Sequence, residues 1–171
     1  MVTNTITNID LPNVTNILTI YKTRFEELLK RKLMDKGNVA SGNLLASIHT
    51  RLETNDSVFE VWLDCLNYLK FLETGTKPHW PPSEPILKWV RNKKLPTREL
   101  TGDSSLPTEK QLTFLVQRKI SEEGTKKYTP YSETLEELNM EFIPLIEEAL
   151  RKDVEIYLVA MELHYELKME I

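Results

Sequence analysis

The residues of this chain whose types could carry chemistry are few and lie far apart in the sequence. The three histidines, His49, His79 and His164, fall in three different segments and share no metal-ligand spacing. Cys65 is the single cysteine, so neither an intrachain disulfide nor a paired-cysteine zinc motif can form. Glu73, which lies six residues before His79, forms with it the only constellation that could support acid–base chemistry, and that chemistry is a weak alternative to a structural role. These residues predict no metal site and no catalytic centre.

Other catalytic motifs are also missing from the sequence. It contains no glycine-rich phosphate loop and no Gly-x-Ser-x-Gly elbow. The adjacent acidic pairs Glu136-Glu137 and Glu147-Glu148 lie in amphipathic segments, where solvated helix faces explain them better than a carboxylate dyad does. We therefore expect a protein that is not an enzyme and needs no cofactor.

The composition is that of an ordinary globular domain. The chain has 171 residues, of which 40% are hydrophobic and 28% are charged. The net charge of -4 weighs against a dedicated nucleic-acid binder, although lysines and arginines cluster between Lys88 and Arg98. No apolar run reaches the ~18 residues of a membrane span, so we expect no membrane partner. The lone Cys65 fits a reducing compartment and is expected to be a buried structural thiol.

The stretch from Tyr68 to Val90 organises the rest of the chain. It predicts a short helix that ends at Gly75, where a positive backbone φ is least costly, and a second helix that has Ser83 as its N-cap. Pro78, Pro81 and Pro82 lie between the two helices and Pro85 lies in the first turn of the second one; these prolines favour a stiff, extended connection. This loop carries His79 and Trp80. A tryptophan on a rigid loop indicates either a contact surface or a packed corner.

Around this stretch the sequence predicts an α+β fold with a small antiparallel sheet. A hairpin at about 46–64 is expected to pack with an N-terminal helix from Asn13, a central helix capped by Thr108, and a C-terminal helix that is capped by Ser132 and kinked at Pro144. Gly124 closes the central helix, and the sequence Gly124-Thr-Lys126 echoes Gly75-Thr-Lys77. We interpret the echo as two similar helix ends. Residues 1–12 are expected to form an arm, and residues 13–171 a single domain with a long loop at about 92–107.

The end of the chain changes its hydrophobic period from that of a helix to that of a strand. From Met161 to Ile171 apolar and polar residues alternate strictly, and Val154, Ile156 and Leu158 alternate on a shifted phase. The pattern predicts a C-terminal strand of the sheet, with a bulge near 159–160. Such a strand could protect its own sheet edge or pair with a neighbouring subunit.

Four motifs, in this order, resemble the tail-completion or neck proteins of tailed bacteriophages, which join head to tail. They are Leu44-Leu-Ala-Ser-Ile48, Tyr68-Leu-Lys-Phe-Leu-Glu-Thr-Gly-Thr76, Pro78-His-Trp-Pro-Pro82 and Leu87-Lys-Trp-Val-Arg-Asn-Lys93. The helix end from Ile120 to Lys126 also fits the family pattern. The resemblance covers residues 41 to about 126. Leu69 stands where the family usually has alanine, and neither the N-terminal arm nor residues 140–171 match.

The resemblance implies a structural virion protein that assembles as a ring between portal and tail, around the DNA channel. Its implied partners are further copies of itself, the portal or adaptor protein, the tail proteins and the packaged DNA that passes through the channel. The implied location is the neck or tail of the virion, and the host cytoplasm during assembly. A ring subunit without catalysis agrees with the absence of catalytic motifs noted above.

Two sets of residues are candidates for contacts in such a ring. The hypothetical subunit contact consists of Glu73, Gly75, Thr76, Lys77, Pro78, His79, Trp80, Pro81 and Pro82. The candidate DNA-channel face consists of Lys88, Arg91, Lys93 and Lys94, for which a solvated helix face is an equally good explanation. Tyr68 and Trp89 fit a core role better than a contact role. The alternatives to the ring are a small nucleic-acid-binding module or a nucleic-acid-processing enzyme of phage origin.

Overall fold

The computed structural model describes residues 10–35, 37, 40–55 and 58–169, with side chains up to Met161. It contains seven helices and one two-stranded sheet in the described residues. In chain order they are α1 (Pro12–Asp35), α2 (Asn43–Ser47), β1 (His49–Asn55), β2 (Val58–Asp64), α3 (Tyr68–Thr74), α4 (Ser83–Asn92), α5 (Arg98–Thr101), α6 (Glu109–Glu123) and α7 (Pro130–Met169). These elements form two compact units. The first unit comprises the chain up to Leu29, His49–Asp64 and the chain from Glu133 onward. The second comprises Lys30–Ile48 and Cys65–Ser132.

In the first unit, α1 packs against α7 and against the hairpin. The ring of Tyr21 meets that of Phe142 edge to face at 5.3 Å, and its hydroxyl lies 3.2 Å from Oδ1 of Asn139. The β1 residue Thr50 donates its backbone N–H to the Glu26 carboxylate at 2.9 Å. Strands β1 and β2 pair antiparallel, from His49 opposite Asp64 to Asn55 opposite Val58. The buried apolar side chains of α1 and α7 supply the core of this unit.

The start of α1 is held by an acidic side chain from α7. The Asp153 carboxylate, only 3% exposed, accepts hydrogen bonds from the backbone N–H groups of Asn13 at 3.1 Å and Val14 at 2.9 Å. The side-chain amide of Asn13 donates to it as well, at 2.6 Å. Burial alone raises the pKa of Asp153, but these donors together outweigh it and lower the pKa below its ordinary value. Asp153 therefore caps α1 in its ionised form.

The second unit is built from short helices whose ends are set by local signals. Helix α6 begins with a complete capping box: the Thr108 hydroxyl accepts from the Gln111 backbone N–H at 3.2 Å, and the Gln111 side chain accepts from the Thr108 N–H at 2.9 Å. Helix α4 packs against α6, and the ion pair between Arg91 and Glu109 joins them. The predicted helix ends at Gly75, Thr108 and Gly124 are confirmed.

The α+β class and the hairpin are confirmed, whereas the C-terminal strand is wrong. The chain from Val154 to Met169 continues α7, which begins at Pro130, two residues before the predicted cap at Ser132. No glycine or proline follows Pro144 in the sequence, and good helix formers such as glutamate, leucine and methionine fill the segment. Helix propagation therefore wins over the two-residue apolar period. Ile171, the last residue of the predicted strand, lies outside the described residues.

Smaller differences concern loops and single residues. The predicted long loop at 92–107 contains the short helix α5. Ser83 is the first residue of α4, and the N-cap position is Pro82. Tyr68, expected in the core, is 52% exposed, and Cys65 is half-buried. Most of the predicted arm, residues 1–9, and residues 56–57 of the predicted hairpin lie outside the described residues.

Candidate functional site

The two Gly-Thr-Lys segments meet in the second unit. Thr76 donates its backbone N–H to the Thr125 carbonyl at 3.2 Å, and Thr125 donates back to the Thr76 carbonyl at 3.2 Å. The two hydroxyls are 3.0 Å apart. We call residues 75–77 and 124–126 the Gly-Thr clasp. The clasp joins the ends of α3 and α6, which are far apart in sequence, through one antiparallel bridge.

Both glycines of the clasp are required by conformation and by space. Gly75 has φ 67° and ψ −174°, and Gly124 has φ 74° and ψ −161°, a region that is essentially restricted to glycine. A Cβ added at either position would come within 3.0 Å of the carbonyl oxygen of the facing threonine. The side chain is therefore absent where the two backbones approach most closely.

Glu73, the last acidic residue before the clasp, caps the start of α7. Its carboxylate accepts the backbone N–H of Tyr131 in a short hydrogen bond and the Ser132 hydroxyl at 3.0 Å. The first-turn N–H groups of a helix have no partner within the helix, and the helix dipole favours a negative charge there. Nearby, Tyr128 donates its N–H to the Leu72 carbonyl at 2.7 Å. These bonds give Glu73 a positioning role that accounts for its place in the motif without acid–base chemistry.

The Pro78–Pro82 loop lies along α6. Gln117 is buried and donates its side-chain amide to the Pro81 carbonyl at 2.8 Å. The His79 N–H reaches the Ile120 carbonyl at 3.4 Å, and the His79 Nδ1 lies 2.9 Å from the Lys77 carbonyl. Since a carbonyl only accepts, Nδ1 carries the proton. The loop is thus held to α6 by hydrogen bonds at His79 and at Pro81.

Trp80 projects from this fixed loop and is 55% exposed, so it is not a packed core residue. Its ring lies 5.8 Å from the ring of Phe114 on α6, which is 54% exposed. Phe114 also lines an open groove of about 730 Å³ with Leu115, Arg98 and Lys110. Neither cation has an ion pair among the described residues. Trp80 does not line this groove but lies beside it, against Phe114. We call the lining residues Phe114, Leu115, Arg98 and Lys110, together with Trp80, the aromatic groove.

The candidate DNA-channel residues lie on or just after α4, but they do not form one free positive face. Arg91 forms an ion pair with Glu109 at 2.7 Å. The hydrogen bond to Glu109 and the charge of Glu109 raise the pKa of Arg91 above its ordinary value. Lys93 donates to the Gly37 carbonyl. Lys88 and Lys94 are exposed and have no ion pair with a described residue. Two of the four predicted cations are therefore available to bind a phosphate.

The two units carry opposite formal charges. The second unit contains sixteen lysines and arginines against eight acidic residues, a net charge of +8. The first unit contains six against eighteen, a net charge of −12. Within the described residues, no group of three or more histidine, cysteine or acidic side chains could hold a metal ion. In the same residues, no helix is both long and apolar enough to cross a membrane.

Sequence reasoning did not identify Phe114, Gln117 or Thr125 as parts of this site. Phe114 is not one of the apolar residues that recur at helical spacing on the core-facing side. This was the available signal that its aromatic ring would lie at the surface. For Thr125 the signal was the echo of the two Gly-Thr-Lys segments, which was interpreted as two separate helix ends. Gln117 is a polar residue in a buried position, and its partner is a backbone carbonyl that sequence cannot indicate.

Comparisons of the chain with protein-family models, with curated proteins and with solved structures find no match.

Proposed function

We propose that this protein is a structural virion subunit, a head–tail connector or neck protein that assembles as a ring between portal and tail around the DNA channel. The observation that carries the proposal is the exposure of Trp80 on a loop whose backbone is fixed by α6 and by the Gly-Thr clasp. Among the classes of protein that assemble through such contacts, we propose a connector because of the phage-like motifs of the sequence.

A fixed, exposed tryptophan favours a contact function for a physical reason. Aromatic side chains contribute large contact areas and dominate many protein interfaces. A loop that is already ordered loses little conformational entropy on binding, so more of the contact energy appears as affinity. The hydrogen bonds from Gln117 to the Pro81 carbonyl and from the His79 N–H to the Ile120 carbonyl supply this order before any partner binds.

The proposed partners are other copies of the chain, the portal or adaptor protein on one side and tail proteins on the other. The proposed location is the virion neck or tail, with the host cytoplasm during assembly. Packaged DNA would pass Lys88 and Lys94, the two exposed cations of the candidate channel face that have no ion pair with a described residue. Neither catalysis nor a cofactor is part of this proposal.

The test is the mass of the purified protein across a concentration series, alone and with the portal protein, followed by negative-stain imaging. Trp80→Ala is expected to weaken ring assembly by roughly 30-fold in dissociation constant, the scale of an interface hot spot. Leu100→Ala is the matched control, because Leu100 is also 55% exposed in the same unit. Both variants should melt within a few degrees of the native protein. A protein that stays monomeric with and without portal would contradict the proposal.

The net charge of +8 on the second unit favours one alternative, a small nucleic-acid-binding module. Such a module would bind duplex DNA on its own, with an affinity that falls steeply as salt is raised. Replacing both Lys88 and Lys94 with glutamate would then abolish binding. The connector proposal expects weak binding by the isolated subunit.

A further inference from the structure

The second half of α7 exposes an apolar surface that the first unit does not cover. Beyond Asp153, which caps the start of α1, the helix runs on through sixteen residues to Met169. In its first eight residues, five large apolar side chains are between 45% and 60% exposed. They are Val154, Ile156, Leu158, Val159 and Met161. Val154, Leu158 and Met161 recur at four- and three-residue steps and therefore share one side of the helix, and we call these three residues the apolar end of α7. Exposed apolar runs of this density mark interaction surfaces.

The charges around this surface are complementary to those of the aromatic groove. From Glu155 to Met169 the sequence contains three acidic residues against one lysine, and the segment belongs to the unit of net charge −12. Glu155 is ion-paired with Arg151 of the same helix. The groove combines exposed Trp80, Phe114 and Leu115 with Arg98 and Lys110, in the unit of net charge +8. Each surface therefore offers apolar contacts together with the charge that the other attracts.

We infer that the apolar end of α7 in one copy of the chain docks into the aromatic groove of a second copy. The occupant is a helix because the described backbone of this segment is helical, and a helix in an apolar groove is a common mode of recognition. The contact uses a different surface on each partner, so it is heterologous and leaves one surface of each kind free for the next copy.

The inference rests on the proposed function, for which it names the surfaces that join neighbouring subunits. A heterologous contact builds a closed ring when the rotation between copies closes, and an open filament when it does not. A ring can also form through other heterologous surfaces, and this docking can also build a filament, so the two ideas can fail separately.

The experiment uses two full-length variants, Phe114→Glu in the groove and Leu158→Glu at the apolar end of α7. Each variant alone should associate roughly 30-fold more weakly than the native chain. Mixed in equal amounts, they should form a heterodimer and stop, because one intact groove and one intact helix end remain. Leu100→Glu and Met140→Glu, at exposed sites outside both surfaces, are the controls and should assemble normally. Mass photometry and analytical ultracentrifugation give the species.

A second measurement does not depend on the variants folding. Self-association of the native chain should weaken as ionic strength rises, because attraction between oppositely charged surfaces is screened.

Native-like rings from both variants would overturn the docking and leave the connector proposal standing. Open filaments that both variants abolish would support the docking and contradict the ring. Duplex DNA that binds the groove and excludes a second copy would also overturn the docking.

Discussion

Gly124 is the position where one added methyl group should do the most damage to the second unit. The replacement Gly124→Ala combines two costs. A φ of 74° with ψ −161° is strained for any residue with a Cβ, at about 1–3 kcal/mol. The new Cβ would also lie within 3.0 Å of the Thr76 carbonyl oxygen, so the two backbones must separate. Loss of the two clasp hydrogen bonds adds about 1 kcal/mol each.

These terms together predict a loss of about 3–5 kcal/mol in the free energy of unfolding, close to 10 °C in melting temperature for a chain of this size. The matched control is Gly102→Ala. Gly102 has a similar φ of 75°, but a Cβ there would meet nothing within 4 Å. Its cost is therefore the conformational term alone, about 1 kcal/mol. Urea denaturation measures both variants, and amide hydrogen exchange at Thr76 and Thr125 reports the clasp directly.

The comparison of these two variants is what can refute the reasoning. If Gly124→Ala and Gly102→Ala are equally stable, the close backbone approach contributes nothing and the clasp does not hold α3 to α6. If Gly124→Ala is destabilised but the threonine amides stay protected, the cost arises elsewhere than in the bridge. Gly75 lies on the other side of the clasp. A large increase in hydrogen exchange at the Thr76 and Thr125 amides in Gly75→Ala would support the same reasoning.

Three further predictions concern helix ends. Glu73→Gln should cost about 1–2 kcal/mol and speed hydrogen exchange in the first turn of α7, because the charged cap is lost; the exposed Glu84→Gln should not. Asp153→Asn should cost about 1–3 kcal/mol at neutral pH. The pKa of Asp153 is lowered in the folded state, so its contribution to the free energy of unfolding is full above about pH 4 and is lost as the pH falls through the lowered value. Urea titrations of the native protein and the variant should therefore converge in acid. Thr108→Ala should cost about 1 kcal/mol by removing one side of the capping box, measured by the same denaturation.

Local signals in the sequence were sufficient for much of the second unit. Thr108 and Gln111 fix the start of α6 because a capping box needs only residues three apart, and Gly75 and Gly124 fix helix ends because only glycine adopts their backbone angles cheaply. The hairpin followed from its two-residue period. What could not be predicted was the pairing of Thr76 with Thr125, because it depends on how α3 and α6 pack.

The segment from Val154 to Met169 shows why a pattern can mislead. Alternating apolar residues predict a strand when one face is buried, and the same alternation places apolar groups on opposite sides of a helix. The residue types favour helix, and a helix already under way adds one hydrogen bond for each residue it gains. The period that suggested a strand is therefore the reason that α7 exposes Ile156 and Leu158 to solvent.

The phage-like motif separates into residues that build the loop and a residue that the loop presents. Glu73 and the clasp glycines act through backbone groups, so their replacement should destabilise the second unit. Trp80 touches Phe114 but is more than half exposed, so its replacement should leave the fold intact. The proposed connector role fits this division, because a loop that is already ordered loses little conformational entropy when a partner binds. A motif that served the fold alone would have no use for an exposed tryptophan, and Trp80→Ala would then change neither stability nor assembly.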